Sequence, residues 1–569
     1  MIFKSLFPDI VLPKTGIVQY IFSNPYGASE SKPILIDGLT NETITLGELR
    51  SLVNRFAACL QDQFGFKRGE VVAVYSCNQI DYSVPLFGTL AAGGIVSPVN
   101  PAYNEKELVF QLKEAHATVL ITHPSGIDVA IKAAKAVGIP KERVLLFGGK
   151  AVDGLKPYKS ILGKREAKPV EYSFEEAKTT TAFLCFSSGT TGQSKGVETT
   201  HLNMTSNIAQ QDLFEKAVNR GNETYLGVLP FYHIYGLNVL IHLHLYLYRP
   251  IFILHYLWSH RSILSLSSFI LTTFQGCPLV VMQKFNFVDF CDVLQRHKVT
   301  IAHIVPPIAI LLTKSPVVKN YDLSSIKLFW SGAAPLSAEL SQDLTTRLGS
   351  RIKQGYGMTE SSPVSHIVPT ENIIEGSVGL LMPSMEAKIV DKDGKELGYG
   401  QAGELWLRGP NVMKGYLNNP KATRETLDAE GFLHTGDVAY VDRNGFFYIV
   451  DRLKELIKYK GFQIPPAELE ALLLTSPLVV DAAVIGVNDP SQATELPRAY
   501  IVLAQGVPAT PETAKSIEKF VEERVGQHKK LRGGVKFLAV IPKSSSGKIL
   551  RRYLRVEAEA ETKNGKAKL

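Results

Sequence analysis

The sequence has little cysteine, and its cysteines follow no paired spacing. Disulfide frameworks and structural zinc sites need closely spaced thiols, whereas these five are scattered, mostly in apolar sequence: Cys59, Cys77, Cys185, Cys277 and Cys291. The distribution argues against both kinds of site. It is typical of a protein that stays in a reducing compartment.

The sequence also lacks a concentrated stripe of charge. Lysine and arginine number 62 against 54 acidic residues, which gives a formal net charge of +8 over 569 residues. This modest excess can attract anionic small molecules such as nucleotides, but it predicts no nucleic-acid partner. The first sixteen residues contain an early Asp9 and two prolines without a long apolar core, so no secretory signal is expected.

Acidic residues are absent from residues 224–288. Within this stretch, Tyr248 to Gln275 is rich in Leu, Ile, Phe and Ser and has no glycine; we call it the apolar segment. The uncharged run from Ser262 to Gln283 is long enough to span a bilayer. Its many hydroxyl residues, with Gly276 and Pro278, make it a poor spanning helix, so no stable membrane span is expected.

A chain of this length is too long for one hydrophobic core and implies two or more domains. Apolar runs such as EVVAVYSCN and ATVLITHP alternate with amphipathic patterns such as GIDVAIKAAKAVG, which predicts α/β architecture with largely parallel sheets. Around GELWLRGPNVMKGYLNN and GFLHTGDVAYVDRNGFFYIVDR, short strands with Gly and Asn-Gly turns predict antiparallel sheet. A fresh α/β pattern begins after Asp451 and is long enough for a small domain.

A loop typical of phosphate binding, SSGTTGQSKG, follows the apolar run TAFLCF. Its glycines let backbone N–H groups approach phosphate oxygens, its hydroxyls add donors, and Lys195 adds positive charge. A Walker A loop needs four residues between its glycines and a Lys followed by Ser or Thr. Here two residues separate Gly189 from Gly192 and Gly196 follows the lysine, so the chain is not a P-loop NTPase. Taken alone, the same sequence has an alternative interpretation as a flexible surface loop that binds no phosphate.

Four further motifs accompany this loop in order along the chain. They are QGYGMTE (354–360), HTGD (434–437), DRLKELIKYKGFQIPPAELE (451–470) and PKSSSGKILRR (542–552). Together the motifs resemble the adenylate-forming superfamily of acyl-CoA synthetases, 4-coumarate–CoA ligases, luciferases and peptide-synthetase adenylation domains. The resemblance covers nearly the whole chain and is nearest to the 4-coumarate–CoA ligase branch.

The resemblance implies a division of the chain. It implies an N-terminal AMP-binding domain over 1–450, built of two α/β subdomains and a small β-barrel-like subdomain. A hinge over 451–454 and a mobile small α+β C-terminal domain over 455–569 would follow.

Family members join a carboxylate to AMP using Mg-ATP, release pyrophosphate and pass the acyl group to a thiol. The resemblance therefore implies ATP, Mg²⁺ and CoA as cofactors and a small-molecule carboxylic acid as the partner. The implied ATP- and AMP-binding residues are Ser187, Ser188, Gly189, Thr190, Thr191, Gly192, Lys195, Gln354, Gly355, Tyr356, Gly357, Met358, Thr359, Asp437, Arg452 and Lys548. Within this set, Tyr356 would stack on adenine, and Asp437 and Arg452 would contact the ribose.

Four residues are implied as catalytic: Lys548, His233, Thr359 and Glu360. Thr359 would contact the α-phosphate and Glu360 would hold the Mg²⁺ ion. Lys548 would reach between carboxylate and α-phosphate, where two anions meet and a positive charge stabilises the transition state. Taken alone, Lys548 would instead be a solvated lysine in a Ser/Gly loop.

The second half-reaction would use another face of the small domain. The resemblance implies rotation about Lys454 and a CoA site formed by Lys458, Lys460, Gly461 and Phe462. The cluster HKKLRGG (528–534) is a candidate clamp for the CoA phosphates, with a solvated basic turn as its alternative.

The acid would bind near LPFYHIYGL. His233 matches a position that gates the carboxylate site, with a buried structural histidine as the alternative, and the implied pocket residues are Ile234, Tyr235, Val239, Gly332 and Ala333. This mostly apolar wall suits an aromatic or medium-to-long aliphatic acid. No acidic residue stands ready for an α-amine and no carrier domain follows, which argues against a peptide-synthetase module.

The apolar segment departs from the family pattern, in which a short connection leads to a strand such as CPLVVMQKF. Deleting the segment restores that connection, and Phe, Leu, Ser and Pro have the pyrimidine-rich codons found near intron ends. We therefore hypothesise that the segment is a translated, unspliced intron. An apolar lid and a membrane-contacting loop are the competing interpretations.

The terminal Ala567-Lys568-Leu569 is a one-residue variant of the Ser-Lys-Leu peroxisomal address. It predicts a peroxisomal location through the import receptor, with a frayed basic helix end and a cytoplasmic location as alternatives. The expectation is thus an ATP-dependent acyl- or aryl-CoA ligase of fatty-acid, phenylpropanoid or secondary metabolism. A luciferase-like oxidative enzyme and a catalytically impaired acyl-binding homologue are the alternatives.

Overall fold

The computed structural model describes residues 1–25, 27–187, 194–215, 223–247, 278–489, 492, 494–544 and 547–566. They group into two compact units, each discontinuous in sequence. The first unit comprises Met1–Ile10, Ser187–Lys195 and His303–Leu569, and the second Val11–Phe186 and Gly196–Ala302. The apolar segment and the terminal Ala567-Lys568-Leu569 lie outside the described residues. The division at residues 450 and 455 stays a prediction.

A largely parallel sheet forms the centre of the second unit. In order across the sheet, its strands are Lys195–Thr200, Thr181–Ser187, Ile95–Val99, Val71–Tyr75, Ala117–Thr122, Val144–Leu146 and Lys156–Pro157. Every residue of Val71–Tyr75 is buried, as in a strand covered on both faces. The parallel pairs on each side of this strand confirm the predicted α/β pattern.

A second group of strands in this unit comprises Tyr225–Gly227, Leu279–Val281, Pro33–Asp37 and Thr43–Thr45. The first three pair in parallel and the last pairs antiparallel. Ile301 and Ala302, from strand Ile301–Ile304, also pair in parallel with Tyr225 and Leu226. This group therefore extends the parallel arrangement of the unit.

Helices surround these strands. The α-helices are Ile17–Ile21, Leu46–Phe64, Ser83–Ala91, Glu105–Glu114, Ile127–Val137, Phe174–Thr179, His201–Glu215, Leu243–Tyr246 and Phe287–Arg296. The 3₁₀ turns are Pro124–Gly126, Lys141–Arg143 and Tyr158–Ile161, and Gly236–His242 is a π-helix. Three α-helices begin with a capping box, in which Thr45 pairs with Glu48, Asn104 with Glu107 and Ser173 with Glu176.

The first unit contains an antiparallel five-stranded sheet. Its strand order is Ile2–Lys4, Glu386–Val390, Gly403–Arg408, Leu433–Val441 and Phe447–Arg452. Every neighbouring pair is antiparallel, which confirms the prediction from the Gly and Asn-Gly turns. The unit also contains a parallel pair, Leu328–Ser331 with Arg351–Gly357, followed by antiparallel Val364–Ile367 and Leu380–Leu381, and the short strand Gly415–Tyr416. Its helices before residue 450 are Pro306–Lys314, Ala338–Leu348 and Pro420–Thr426, with 3₁₀ turns Pro316–Asn320 and Thr359–Ser361.

The C-terminal part of this unit has a core of its own. A two-stranded hairpin, Ile457–Tyr459 with Phe462–Ile464, precedes a sheet of Val479–Asp489, Thr494–Leu503 and Val535–Phe537. The helices are Pro466–Leu474, Pro511–Glu522 and Arg551–Lys566, with a 3₁₀ turn at Gln527–Lys529. Buried Ile464, Leu469, Ile501, Ile517 and Val521 belong to one apolar cluster between these elements.

Among the described residues, no helix combines the length and the apolar character that a membrane crossing needs.

Candidate active site

The QGYGMTE segment lies in the first unit, where it ends a strand and then turns sharply. A Cβ atom on Gly357 would lie 2.0 Å from the carbonyl oxygen of Pro363, so this close approach requires glycine. Beyond it, the backbone N–H of Met358 donates to the same carbonyl at 3.0 Å, and Thr359–Ser361 forms a 3₁₀ turn. The turn places the carboxylate of Glu360 in a buried position.

Two hydroxyl groups donate to Glu360. Tyr416 Oη lies 2.9 Å from Glu360 Oε1, and Ser187 Oγ, at the end of the strand that leads into the phosphate loop, lies 3.3 Å from it. Lys195, at the other end of that loop, places its Nζ 4.7 Å from the centre of the Tyr416 ring. Burial, and then the Glu360 charge, raise the pKa of Tyr416, so the phenol stays protonated and acts as a donor.

Tyr356 and Asp437 form a second polar pair. Tyr356 Oη donates to Asp437 Oδ2 at 2.5 Å, and Arg452 Nε lies 3.5 Å from Asp437 Oδ1. Burial raises the pKa of Asp437 above its ordinary value, although Arg452 and the Tyr356 hydrogen bond act in the opposite direction. The resemblance assigned Tyr356 to adenine and Asp437 to the ribose, and these assignments stay predictions.

The HTGD turn is fixed by hydrogen bonds to the neighbouring strand. Thr435 Oγ1 donates to the carbonyl of Leu405 at 2.7 Å and accepts from the backbone N–H of Asp437 at 3.1 Å. Gly436, with φ of +71°, donates its N–H to Glu404 Oε1 at 3.0 Å. These bonds set the direction in which the Asp437 side chain leaves the backbone.

Lys548 lies in a tight loop. Its backbone N–H donates to Ser544 Oγ at 3.1 Å, while its carbonyl accepts from the Ser544 N–H at 2.8 Å. Gly547 adopts φ of +82°, and a Cβ on it would lie 3.3 Å from Val305. A larger residue would therefore be strained and would press the loop away from Val305.

The charged groups around Lys548 come from three of the motifs. Burial and Arg452 lower the pKa of Lys548, whereas Asp437 and Glu360 favour its charged form. The structure thus brings together Lys548, Asp437, Arg452 and Glu360, which are up to 188 positions apart in sequence.

Gln354 uses its amide on the protein itself. Its Oε1 accepts from the Leu336 N–H at 2.9 Å and its Nε2 donates to the Leu336 carbonyl at 3.0 Å. It thereby ties the strand to the SGAAPLS loop, where the Gly332 N–H donates to Ile304 and Ala333 has φ of +69°. Gly355 lies half-buried between Gln354 and Tyr356.

His233, Ile234, Tyr235 and Val239 all belong to the second unit. His233 Nδ1 accepts from the backbone N–H of Tyr235 at 3.3 Å, and Val239 is buried on the π-helix Gly236–His242. A Cβ on Gly236 would lie 2.2 Å from the carbonyl oxygen of Pro230, which makes this position specific for glycine. Burial raises the pKa of Tyr235, so it remains a neutral phenol.

The predicted CoA residues lie on the hairpin after Lys454. Tyr459 pairs with Phe462, so Lys460 and Gly461 form a two-residue turn with φ of +46° and +86°. Lys454, Lys458 and Lys460 are exposed, and Phe462 is 53% exposed.

The HKKLRGG cluster adjoins this hairpin. The His528 and Phe462 rings stack with centres 4.5 Å apart, and the Arg532 guanidinium lies 5.0 Å from the centre of the Tyr459 ring. Lys529 pairs with Glu468 and Lys530 with Glu522, so these two lysines are already neutralised. The surface presents flat rings beside basic groups, a combination that suits a nucleotide.

The predicted Ser188, Gly189, Thr190, Thr191 and Gly192 lie outside the described residues. Two residues of the site were missed by the sequence analysis. Tyr416 occurs in MKGYLNN, which indicated only a strand and turn, and Glu404 occurs in GELWLRG, which indicated only a strand. Their contacts join distant segments, and a single sequence gives no periodic signal for such contacts.

The assembled groups suit the meeting of two anions. Lys548, Lys195 and Arg452 supply positive charge, while Glu360 supplies a carboxylate with hydroxyl neighbours. Within the described ranges, no three His, Cys, Asp or Glu side chains cluster as a metal centre.

Family models match most of the chain, and named relatives align along nearly all of it. The model described as AMP-binding enzyme matches residues 26–247 and 259–417, and the model described as AMP-binding enzyme C-terminal domain matches 468–548. "Probable 4-coumarate--CoA ligase 1" of Dictyostelium discoideum is 38% identical over 572 residues, covering 97% of each chain. "4-coumarate--CoA ligase 3" of Arabidopsis thaliana is 38% identical, covering 98% of this chain and 94% of its own.

A solved structure shares the fold. The anthranilate CoA ligase AuaEII in complex with anthranoyl-AMP matches with a TM-score of 0.83 and 22% identity, over 98% of this chain and 99% of that one. The likeness confirms the predicted fold class, a mixed α/β protein with a large N-terminal and a small C-terminal domain.

Proposed function

This chain belongs to the AMP-binding enzyme family and is an AMP-forming acid–thiol ligase, and we propose that it joins a hydrophobic carboxylic acid to CoA. The acid is first converted to an acyl-adenylate at the expense of ATP, with release of pyrophosphate. The acyl group then passes to CoA, with release of AMP.

The observation that carries the proposal is the Asp437 carboxylate, which contacts Tyr356 and Arg452 and favours the charged form of Lys548. In the first half-reaction, a carboxylate oxygen attacks the α-phosphorus of ATP, and the bond from that phosphorus to the bridging oxygen breaks. Pyrophosphate leaves with the electron pair. Lys548 offsets the negative charge that builds up between the two anions, and no protein nucleophile takes part.

The neighbouring residues suit nucleotide binding. Tyr356 supplies a flat ring for adenine, and Asp437, held by Arg452, supplies acceptors for a ribose diol. Ser187 and Lys195 lie at the two ends of the loop proposed to hold the β- and γ-phosphates. Gln354 contributes the shape of the pocket, because its amide is already bonded to Leu336.

The donor set at Glu360 fits Mg²⁺. A buried carboxylate flanked by the Ser187 and Tyr416 hydroxyls offers oxygen ligands, which this hard cation prefers. When bound, the ion would neutralise phosphate charge. Tyr416 keeps the carboxylate oriented toward the loop.

The second half-reaction is assigned to the exposed surface of Lys458, Lys460, Phe462 and His528. There the CoA thiol attacks the acyl carbonyl, the bond to the AMP oxygen breaks, and the thiol proton passes to solvent. Phe462 and His528 offer flat faces for the nucleotide end of CoA. Rotation about Lys454 would alternate this surface with Lys548.

The acid is proposed to be aromatic or a medium-to-long aliphatic acid. Of the residues expected to line its site, Ile234 and Val239 are apolar and buried, and Gly332 and Ala333 are small, which favours a hydrophobic acid. The relatives named as 4-coumarate–CoA ligases favour the aromatic class.

The test is acid-dependent pyrophosphate release, with and without CoA, across a panel of aromatic and fatty acids. Two proteins are compared, the full chain and a variant lacking Tyr248 to Gln275. The family match stops at residue 247 and resumes at 259, so it leaves out the first part of this segment, residues 248–258. Release that depends on the acid and turns over only with CoA is the expected result. Two folded but silent proteins would refute the proposal.

The variant also tests the proposed intron. If only the shortened protein is active and the spliced message lacks these codons, the segment is an artefact of translation. Peptides from the segment in a digest of the native protein would contradict that origin.

A peroxisomal location remains a proposal that rests on Ala567-Lys568-Leu569. A fluorescent protein fused upstream of the whole chain should enter peroxisomes, and removal of these three residues should leave it in the cytoplasm. Identical distributions for both fusions would contradict the proposal.

A further inference from the structure

Helix Pro466–Leu474 receives a charged side chain at each of its ends. At its first turn, Asp451 Oδ2 accepts the backbone N–H of Ala467 at 2.9 Å, and Asp451 Oδ1 accepts the N–H of Arg452 at 2.7 Å. The Asp451 side chain is buried. Pro466 has no N–H, so the bond to Ala467 satisfies one of the few free donors at this end.

At the other end, Lys314 donates twice from its ammonium group. Its Nζ lies 3.0 Å from the carbonyl oxygen of Leu474, the last residue of the helix, and 2.9 Å from that of Val479. Carbonyls in the last turn have no partner within a helix, and a cation there complements the helix dipole. A carboxylate at the start and an ammonium at the end are the favourable signs.

Lys314 is itself held in place. It ends helix Pro306–Lys314, and the guanidinium of Arg347 donates to the carbonyls of Thr313 and Ser315 on either side of it. At the start of the same helix, Val305 lies against Gly547, the residue before Lys548.

Helix Pro466–Leu474 is also connected to the loop that carries Lys548. Glu470, in the middle of the helix, accepts two hydrogen bonds of 2.8 Å from Arg551, three residues after Lys548. Arg551 also donates to the carbonyl of Val484 at 3.1 Å. This buried pair makes the helix and the lysine loop parts of one body.

We propose that Lys314 and Asp451 are positioning residues that clamp helix Pro466–Leu474 at both ends and thereby hold Lys548 at the adenylation site. Neither side chain need touch a reacting atom. The clamp serves the first half-reaction, and releasing it frees the small domain for the second. The inference deepens the proposed function and rests on it for its activity measurement.

The decisive variant is Lys314→Met, which keeps most of the side-chain length and removes the donors and the charge. Lys314→Arg restores a cation at the same place. Lys319→Met is the matched control, because Lys319, like Lys314, is an exposed lysine and lies on the next turn of chain. Acyl-adenylate formation is followed by acid-dependent ATP–pyrophosphate exchange, and the second half-reaction by mixing a preformed acyl-adenylate with CoA.

We expect Lys314→Met to lower the rate of exchange about tenfold, as loss of charge-assisted hydrogen bonds allows, with the thioester step within about twofold of wild type. Lys314→Arg should recover most of the exchange, and Lys319→Met should leave both rates unchanged. An unchanged rate of exchange in Lys314→Met would overturn the clamp. So would an equal fall in both half-reactions, because that would indicate general damage.

A second measurement separates this inference from the proposed function. In Lys314→Met, the backbone amide hydrogens of residues 467–474 should exchange with deuterium several times faster than in wild type, whereas those of helix 511–522 should be unchanged. If the wild-type protein forms no adenylate with any acid, the proposed function fails. The hydrogen–deuterium exchange data then decide by themselves whether the clamp exists. Equal rates of hydrogen–deuterium exchange in wild type and in Lys314→Met would then refute the clamp.

Discussion

Tyr416 donates its phenolic hydrogen to Glu360 at 2.9 Å while Lys195 lies 4.7 Å from the centre of the same ring. One tyrosine therefore contacts both the proposed metal-binding carboxylate and the lysine at the end of the phosphate loop. Its pKa is raised by burial, so it serves as a neutral donor throughout the physiological range.

The first prediction concerns this hydroxyl. Tyr416→Phe keeps the ring beside Lys195 but frees the Glu360 carboxylate to rotate, so the Mg²⁺ concentration for half-maximal pyrophosphate release should rise about three- to tenfold. Tyr553→Phe, at an exposed position, is the control. A Mg²⁺ dependence identical to wild type would show that the hydroxyl does not orient the carboxylate.

Removal of the Lys548 charge should act on one half-reaction. Lys548→Met should lower acid-dependent ATP–pyrophosphate exchange by a factor of about 10²–10³, the size of effect seen when one group that stabilises a transition-state anion is removed. Conversion of a preformed acyl-adenylate to acyl-CoA should change little. A comparable loss in both steps would argue against the assigned role.

The pH dependence of the first half-reaction should reflect the lowered pKa of Lys548. The reaction needs the ammonium form, so activity is present below this pKa and is lost as the pH rises through it. Because the pKa lies below the ordinary 10.5, the alkaline fall in kcat/KM for ATP should come at lower pH than for a free lysine. Lys548→Arg, which stays charged, should be slower but should lack this fall. Persistence of the same fall in Lys548→Arg would assign it to another group.

Asp437 should lower stability at neutral pH. Its pKa is raised in the folded protein, so the stability it contributes is present at acid pH and is lost as the pH rises from the unfolded value of 3.8 through the folded one. Asp437→Asn should therefore raise Tm at neutral pH, and this gain should shrink at about pH 4. The same variant should raise KM for ATP about tenfold, because a ribose acceptor is lost. A lower Tm at neutral pH would contradict the sign of this argument.

The buried pair of Glu470 and Arg551 should behave as a unit. Arg551→Met leaves the Glu470 carboxylate buried without its partner, which should cost about 3–5 kcal/mol of unfolding free energy. The double variant Glu470→Leu, Arg551→Met should regain most of that loss. The unfolding free energies of the single and double variants are measured by denaturant unfolding, with hydrogen exchange of residues 479–489 as the probe. If the losses from the two substitutions simply add, the two charges do not depend on each other.

The sequence predicted the strand pattern well because burial on both faces leaves continuous apolar runs, as in Val71–Tyr75. The π-helix Gly236–His242 was not predicted, because one extra residue per turn in a wholly buried helix alters no polar pattern. Its apolar residues would be buried in either geometry.

Sequence motifs indicated some of the candidate site residues. Residues that are linked to the site only by contacts between distant segments were missed. Lys548, Asp437 and Glu360 came from motifs, and the structure brings their charges together. Tyr416 and Glu404 act through single hydrogen bonds to other segments. Gln354 was expected at the adenine pocket, but only the structure reveals that both ends of its amide are occupied by Leu336.

The two hydrogen bonds between Gln354 and Leu336 limit how the acid specificity can be changed by mutation. The loop over 331–337 carries Gly332 and Ala333, which we propose to line the acid pocket and which are therefore positions to exchange when a new acid is wanted. Because Gln354 is fastened to that loop at Leu336, a transplanted loop that moves Leu336 also moves the strand that bears Tyr356. Mutant libraries at Gly332 and Ala333 should therefore preserve the backbone conformation at Leu336. Variants that change it are expected to alter acid preference and to weaken the affinity for ATP at the same time.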